Sequence, residues 1–166
     1  MKQVDVMGVR VEMPTSKPIV LLRERDGNRC VPIWIGAPEA TAIAYAQQGV
    51  TPPRPLTHDL MVDVLSGLGH ALSRVVITSM QEHIFYAELV IDGDRHISSR
   101  SSDAIALALR ADVPIYVDEE ILDEVGVDVP VEEEDEVERF REFLDNVSAE
   151  DFEMPPGETA PDEDQP

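Results

Sequence analysis

Residues 54–59 read RPLTHD: an Arg, a His and an Asp, residue types that bind phosphate, move protons and ligate metals, placed just ahead of an apolar run of helical period. Two readings fit this stretch. As architecture, Thr57 is a good N-cap, Asp59 in the first turn complements the helix dipole, and Arg54-Pro55 ends an extended linker. As chemistry, a helix N-terminus already attracts phosphate; Arg54 and His58 would reinforce it, and Asp59 would offer a hard oxygen to Mg²⁺ or Mn²⁺. Two further carboxylates, Glu39 and Asp103, each fall in the first turn of a helical pattern, where the dipole favours them by a few tenths to about 1 kcal/mol. Because those helices read as buried, each carboxylate also wants a partner: Arg100, Arg54 or a cation. Arg100-Ser101-Ser102-Asp103 is therefore either an internal Arg–Asp pair with a cap, or a phosphate clamp beside a ligand.

The remaining chemistry-bearing residues point nowhere in particular. His70, His83 and His96 have no partner at metal spacing. Ser66 lacks the Gly-x-Ser-x-Gly setting of a nucleophile elbow, and Cys30 sits inside an alternating strand, as core residues do. There is no Gly-rich phosphate loop, Walker motif or HExxH. The His-Asp pair suggests the all-helical metal phosphohydrolases named for that dyad, but the body of this chain is rich in strands.

Those strands and helices must position the polar residues. Val4 and Val6 alternate, then Val9, Val11 and Met13 alternate in the opposite phase, which predicts a strand kinked near Gly8. PIVLLRER (18–25) and RCVPIWIG (29–36) flank Asp26-Gly27-Asn28 as a hairpin, and APEATAIAYAQQ (37–48) follows as a helix between Pro38 and Gly49. The plan then recurs: HIFYAELVI (83–91), a turn at Asp92-Gly93-Asp94, RHISSR (95–100), and a helix SSDAIALALRA (101–111) capped by Ser101 or Ser102. Laid together, the two halves put Glu39 on Asp103, an internal duplication of a strand–strand–strand–helix unit. Both repeat helices are apolar almost all round, so burial on more than one side is expected, in a layered α+β domain with the helices between sheets. TPPRP links the repeats to a helix from Thr57 with the stripe Leu60, Met61, Val64, Leu65 and Leu68, ended by Gly69. RVVITSM (74–80) and VPIYV (113–117) are strands, and EEILDEVG (119–126) is a short helix closing the domain at residue 126.

At 166 residues the chain suits one domain and a tail. One cysteine allows no intrachain disulfide and no thiolate zinc site, which fits a reducing cytosol. The N-terminus carries no continuous apolar run and nothing later reaches the length of a membrane span, so a cytoplasmic protein without membrane contact is expected. The net charge of −21 is uneven: residues 1–118 carry −3 and residues 119–166 carry −18. Such a molecule repels nucleic acid at long range, which argues against a simple high-affinity binder. After Pro130, EEEDEVERFREFLDNV (132–147) has helical spacing of Val137, Phe140, Leu144 and Val147, so residues 127–149 read as linker and acidic amphipathic helix. Residues 150–166 read as a disordered acidic, Pro-rich tail.

IWIGAPEATAIA, RPLTHDL and ISSRSSDAIALALRADVPIYV, in that order, resemble the bifunctional nuclease family of bacteria and plants over about residues 1–125. The resemblance implies duplicated β-β-β-α units in a β/α/β layering, homo-oligomerisation and nuclease activity on DNA and RNA. The matching polar positions are Glu39, Arg54, Thr57, His58, Asp59, Arg100, Ser102 and Asp103. Where the family tends to read Asp-x-Arg-Pro-Ser-Asp, this chain has Ser98-Ser99-Arg100-Ser101-Ser102-Asp103, a hydroxyl in place of one carboxylate. The leading expectation is a metal-assisted phosphodiester hydrolase: Asp59, with Glu39 or Asp103, holding Mg²⁺ or Mn²⁺, His58 as general base or acid, and Arg54 and Arg100 neutralising transition-state charge. The rival is a non-catalytic oligomeric adaptor whose acidic tail helix meets a basic protein partner. A third expectation is that the tail mimics nucleic acid and inhibits the body's own site.

Overall fold

In the computed structural model, which describes residues 1–129, the alternating runs of each half become antiparallel meanders. The first comprises β1 (Lys2–Glu12), β2 (Lys17–Glu24) and β3 (Arg29–Trp34), followed by α1 (Ala37–Gln47). After α2 (Thr57–Gly67) the plan repeats as β4 (Leu72–Gln81), β5 (Ile84–Ile91), β6 (Arg95–Arg100) and α3 (Ser101–Ala111). The duplication read in the sequence is thus physical, with Glu39 and Asp103 in the first turns of equivalent helices. β7 (Ile115–Val117), α4 (Glu119–Val125) and β8 (Val127–Asp128) close the unit.

All eight strands join one mixed sheet in the order β6-β5-β4-β7-β1-β2-β3-β8. β7 sews the halves together, because Ile115 pairs with Val75 of β4 in parallel and with Val4 of β1 in antiparallel register. The expected layering therefore takes the form of one continuous sheet rather than two separate ones. α1 packs on β1 and β2, α3 on β4, β5 and β6, and the two helices on each other. The kink near Gly8 is present as a register shift between Val6 and Gly8, where Gly8 has φ +148° and Gln47 at the end of α1 donates to the Val6 carbonyl. Only glycine takes that backbone conformation without strain.

α3 is the centre of the core. Ala104, Ile105, Ala106, Leu107 and Ala108 are all at most 1% exposed, so this helix is covered on every side, as its sequence predicts. Full burial of Ile105 or Leu107 contributes on the order of 1.5–3 kcal/mol each. α1 departs from the expectation: only Ala40, Ala42 and Ile43 are buried, and Tyr45 faces out.

Three local readings are corrected. The stripe Leu60, Met61, Val64 and Leu68 of α2 is exposed, at 51, 43, 49 and 70%. Leu65 of the predicted stripe does pack against the core, together with Val62, which was not in it. The cause is polar: His58 and Asp59 reach α3, and His58, Val62 and Leu65 share one helical face, so the opposite apolar stripe turns to solvent. The caps also differ. α2 is preceded by Leu56, whose N–H donates to the Asp59 carboxylate at 2.9 Å, while Thr57 is already helical. α3 starts straight from β6 with Arg100 at the cap position, leaving Ser101 and Ser102 buried in its first turn. Finally, the domain runs past 126: β8 pairs with β3, and Val129 N–H donates to the Asn28 carbonyl. Val127 and Asp128, expected as linker, are part of the sheet. The predicted acidic helix and tail lie outside the described residues. Among the described residues no helix is long and apolar enough to cross a membrane.

Candidate functional site

Three helix starts converge on one cluster. Because α3 follows β6 without a loop, Arg100 ends the strand and caps the helix, and its guanidinium can turn back over the first turn. Arg100 Nε donates to Asp103 Oδ2 at 2.7 Å and Nη2 donates to Glu39 Oε1 at 3.0 Å. The two duplicated carboxylates are therefore joined by one arginine. On its other side, Asp103 Oδ1 lies 2.9 Å from His58 Nε2. The result is a continuous chain, Glu39–Arg100–Asp103–His58, drawn from α1, β6, α3 and α2.

Exposure is graded along this chain. Arg100 is 67% exposed, Asp103 27%, Glu39 15% and His58 13%. Burial pushes the Asp103 carboxyl up, but hydrogen bonds with Arg100 and His58 more than reverse this and hold it below the usual carboxylate range. Arg100 is in turn raised, chiefly by its bond to Asp103 and then by Glu39. The ionised Asp103 carboxylate can only accept, so in this bond His58 donates from Nε2 and Nδ1 is the ring nitrogen left over. A carboxylate that orients an imidazole in this way is the second half of a catalytic triad's logic.

Asp59 belongs to a neighbouring link. Its Oδ1 accepts from Arg110 Nε at 2.7 Å and its Oδ2 accepts from Leu56 N–H, so both oxygens serve the architecture of α2. Burial raises Asp59, and these two donors bring it below its ordinary value. Arg110, only 9% exposed, also donates Nη1 to Ala106 O and Nη2 to Ala42 O, tying α1, α2 and α3 at one point. Arg54 is exposed on the linker and makes no hydrogen bond or ion pair with another described residue.

Of the residues singled out from the sequence, the structure brings Glu39, His58, Arg100 and Asp103 together, puts Asp59 one link away and leaves Arg54 outside. Among the described residues no three of His, Cys, Asp and Glu are grouped as metal ligands. Glu39 Oε1 and Asp103 Oδ2 each accept from Arg100. Arg110 was missed, although a single Arg inside AIALALRA must find partners and so gave a signal. Gly36 was missed without one: a Cβ there would strike the Glu39 carboxylate, which lies folded against the glycine. His70 and His96 do have partners, Asp92 at 2.7 Å and Glu88 at 2.7 Å, both at the surface.

Fold and cluster together define an α+β domain with a histidine–carboxylate pair completed by an arginine. The family model of the bifunctional nuclease domain matches residues 20–130, so the chain belongs to that family. It is 52% identical over 161 residues to an uncharacterized protein of Mycobacterium tuberculosis, covering 92% of this chain and 98% of that one. It is also 26% identical over 117 residues to Bifunctional nuclease 1 of Oryza sativa subsp. japonica and to Bifunctional nuclease of Oryza minuta. Those matches cover 67% of this chain and 35% of each rice protein.

Proposed function

We propose that the chain hydrolyses phosphodiester bonds of DNA or RNA, with His58 and Asp103 as the catalytic pair. The observation that carries this reading is the Glu39–Arg100–Asp103–His58 chain, four polar residues from four elements meeting at the start of three helices. Family membership supports it. His58 Nδ1 takes a proton from the attacking water as its oxygen bonds phosphorus. The bond to the leaving oxygen breaks, and that oxygen is protonated from solvent. Arg100, with Nη1 not used by either carboxylate, meets the charge that builds on the non-bridging oxygens. Glu39 aims Arg100, Asp59 fixes the start of α2, and Arg54 on the approach contacts a flanking phosphate. Glu39 and Asp103 would hold Mg²⁺ or Mn²⁺, which would add positive charge at the phosphate beside that of Arg100.

The adaptor reading draws on one specific feature: each carboxylate of the cluster is already paired, as in a lock between helices. Labelled single- and double-stranded DNA and RNA, incubated with the full chain under Mg²⁺, Mn²⁺ or EDTA beside Arg100→Gln and Asp59→Ala, separate the two. Cutting that falls roughly 10²–10³-fold in Arg100→Gln is expected. No cutting by the wild type in any arm would move the assignment to the adaptor.

Two further parts of the proposal concern setting. Exposed Leu60, Met61, Val64 and Leu68 form an apolar stripe on α2 without a charge pattern that would select a different partner, which suits a symmetric contact between two copies of this chain. The single Cys30, 7% exposed, suits a reducing cytoplasm.

A further inference from the structure

Arg100 has a cross-strand neighbour that the hydrolytic reading leaves unused. In the β5–β6 ladder Tyr86 pairs directly with Arg100, so their Cβ atoms lie roughly 4.5–5.5 Å apart, while the Arg100 guanidinium turns to Glu39 and Asp103. Tyr86 is 42% exposed and Arg100 67%, and Ile84, two residues along β5 on the same face, is 59% exposed. An aromatic ring this exposed, on the strand next to the sheet edge, is not needed for the core. Its backbone is set deliberately by the ladder: the β4–β5 register shifts between Ile77 and Ser79, and the Thr78 hydroxyl in the bulge donates to the Tyr86 carbonyl at 3.4 Å. A bulge re-aims the residues around it and recurs beside active sites.

We infer that Tyr86 is a stacking platform for the base of the nucleotide whose phosphate Arg100 holds, so that the site takes unpaired strands. The inference rests on the nuclease reading for the role of Arg100. Charge makes the platform necessary. Arg100 already shares its charge with Glu39 and Asp103, and Glu88 lies on the same outer face, so the phosphate backbone gains little here. Affinity must come from a contact that does not depend on charge, and base–aromatic stacking is such a contact. A base within a duplex has both faces covered by its neighbours and cannot reach the ring, whereas an unpaired base can. Stacking reads a π-face rather than a hydrogen-bond pattern, so DNA and RNA are both accepted.

The test is equilibrium binding of fluorescent 12-mers to the full chain in EDTA: oligo-dT, oligo-U, an abasic strand with the same phosphates, and a blunt duplex. Wild type should bind oligo-dT and oligo-U more tightly than the abasic strand or the duplex. Tyr86→Ala should weaken oligo-dT and oligo-U by roughly tenfold and leave the abasic strand unchanged, with Tyr86→Phe like wild type. The salt slope should correspond to about one phosphate. Absence of single-strand binding by wild type, or equal binding by wild type and Tyr86→Ala, overturns the platform. An equal loss on the abasic strand overturns it too, since that would mark a structural effect. Cleavage on the same samples keeps the two ideas apart: binding as expected with no cutting removes the nuclease reading alone, while cutting with binding indifferent to Tyr86 removes the platform alone.

Discussion

Asp103 has more bearing on the site than any other side chain, because it receives Arg100 on one oxygen and faces His58 on the other. Its partner Glu39 depends on a residue with no side chain. Gly36 has φ −75° and ψ 158°, a conformation open to alanine, so Gly36→Ala should fold normally and even lose a little unfolded-state entropy. Its Cβ would nevertheless displace the Glu39 carboxylate and release one charge-assisted bond to Arg100. Arg100 then loses the bond that aims it, so the cleavage rate should fall roughly tenfold, while the melting temperature moves little because a pair this exposed contributes at most about 1 kcal/mol and the Gly→Ala gain offsets it. An unchanged rate would show that Glu39 does not aim Arg100. The sequence made Glu39, Asp103, His58 and Arg100 legible as residues that need partners, since a carboxylate at the head of an apolar helix has few alternatives. It could not make their mutual distances legible, nor the part of Gly36, because both depend on how far a shared guanidinium reaches.

At the scale of elements, the meanders, the hairpin turns, the Gly8 kink and the duplication followed from alternation and turn chemistry, which are local. What was not legible was the rotation of α2. Its apolar stripe looked like a core face, and two long-range bonds, His58 to Asp103 and Asp59 to Arg110, turn it outward. Arg110 is the tie for that arrangement. Arg110→Met keeps the length but takes the charged donor from Asp59 Oδ1 and the second bonds from Ala42 O and Ala106 O, so urea unfolding should show a loss of about 1.5–3 kcal/mol. A loss below 1 kcal/mol would mean that apolar packing alone holds the three helices together. The two-residue β8 was equally hidden, because a strand that short is defined by its pairing with β3 and not by its own pattern.

For the whole molecule, charge and surface set the terms. Residues 1–118 carry −3 and residues 119–166 carry −18, so the chain as a whole repels nucleic acid at long range. The exposed α2 stripe predicts association: light scattering should give a multiple of 18.4 kDa, and Val64→Glu with Leu68→Glu should lower it to one chain. An unchanged mass in that variant would place the contact elsewhere. The central claim is that His58, oriented by Asp103, activates the water that cuts the phosphodiester. Its most direct test is the initial cleavage rate of a labelled single strand by wild type, His58→Ala and Asp103→Asn, purified identically and matched for folding by circular dichroism. The account predicts a loss of about 10²–10⁴-fold in His58→Ala, with Asp103→Asn also impaired. Equal cutting by all three proteins would contradict it.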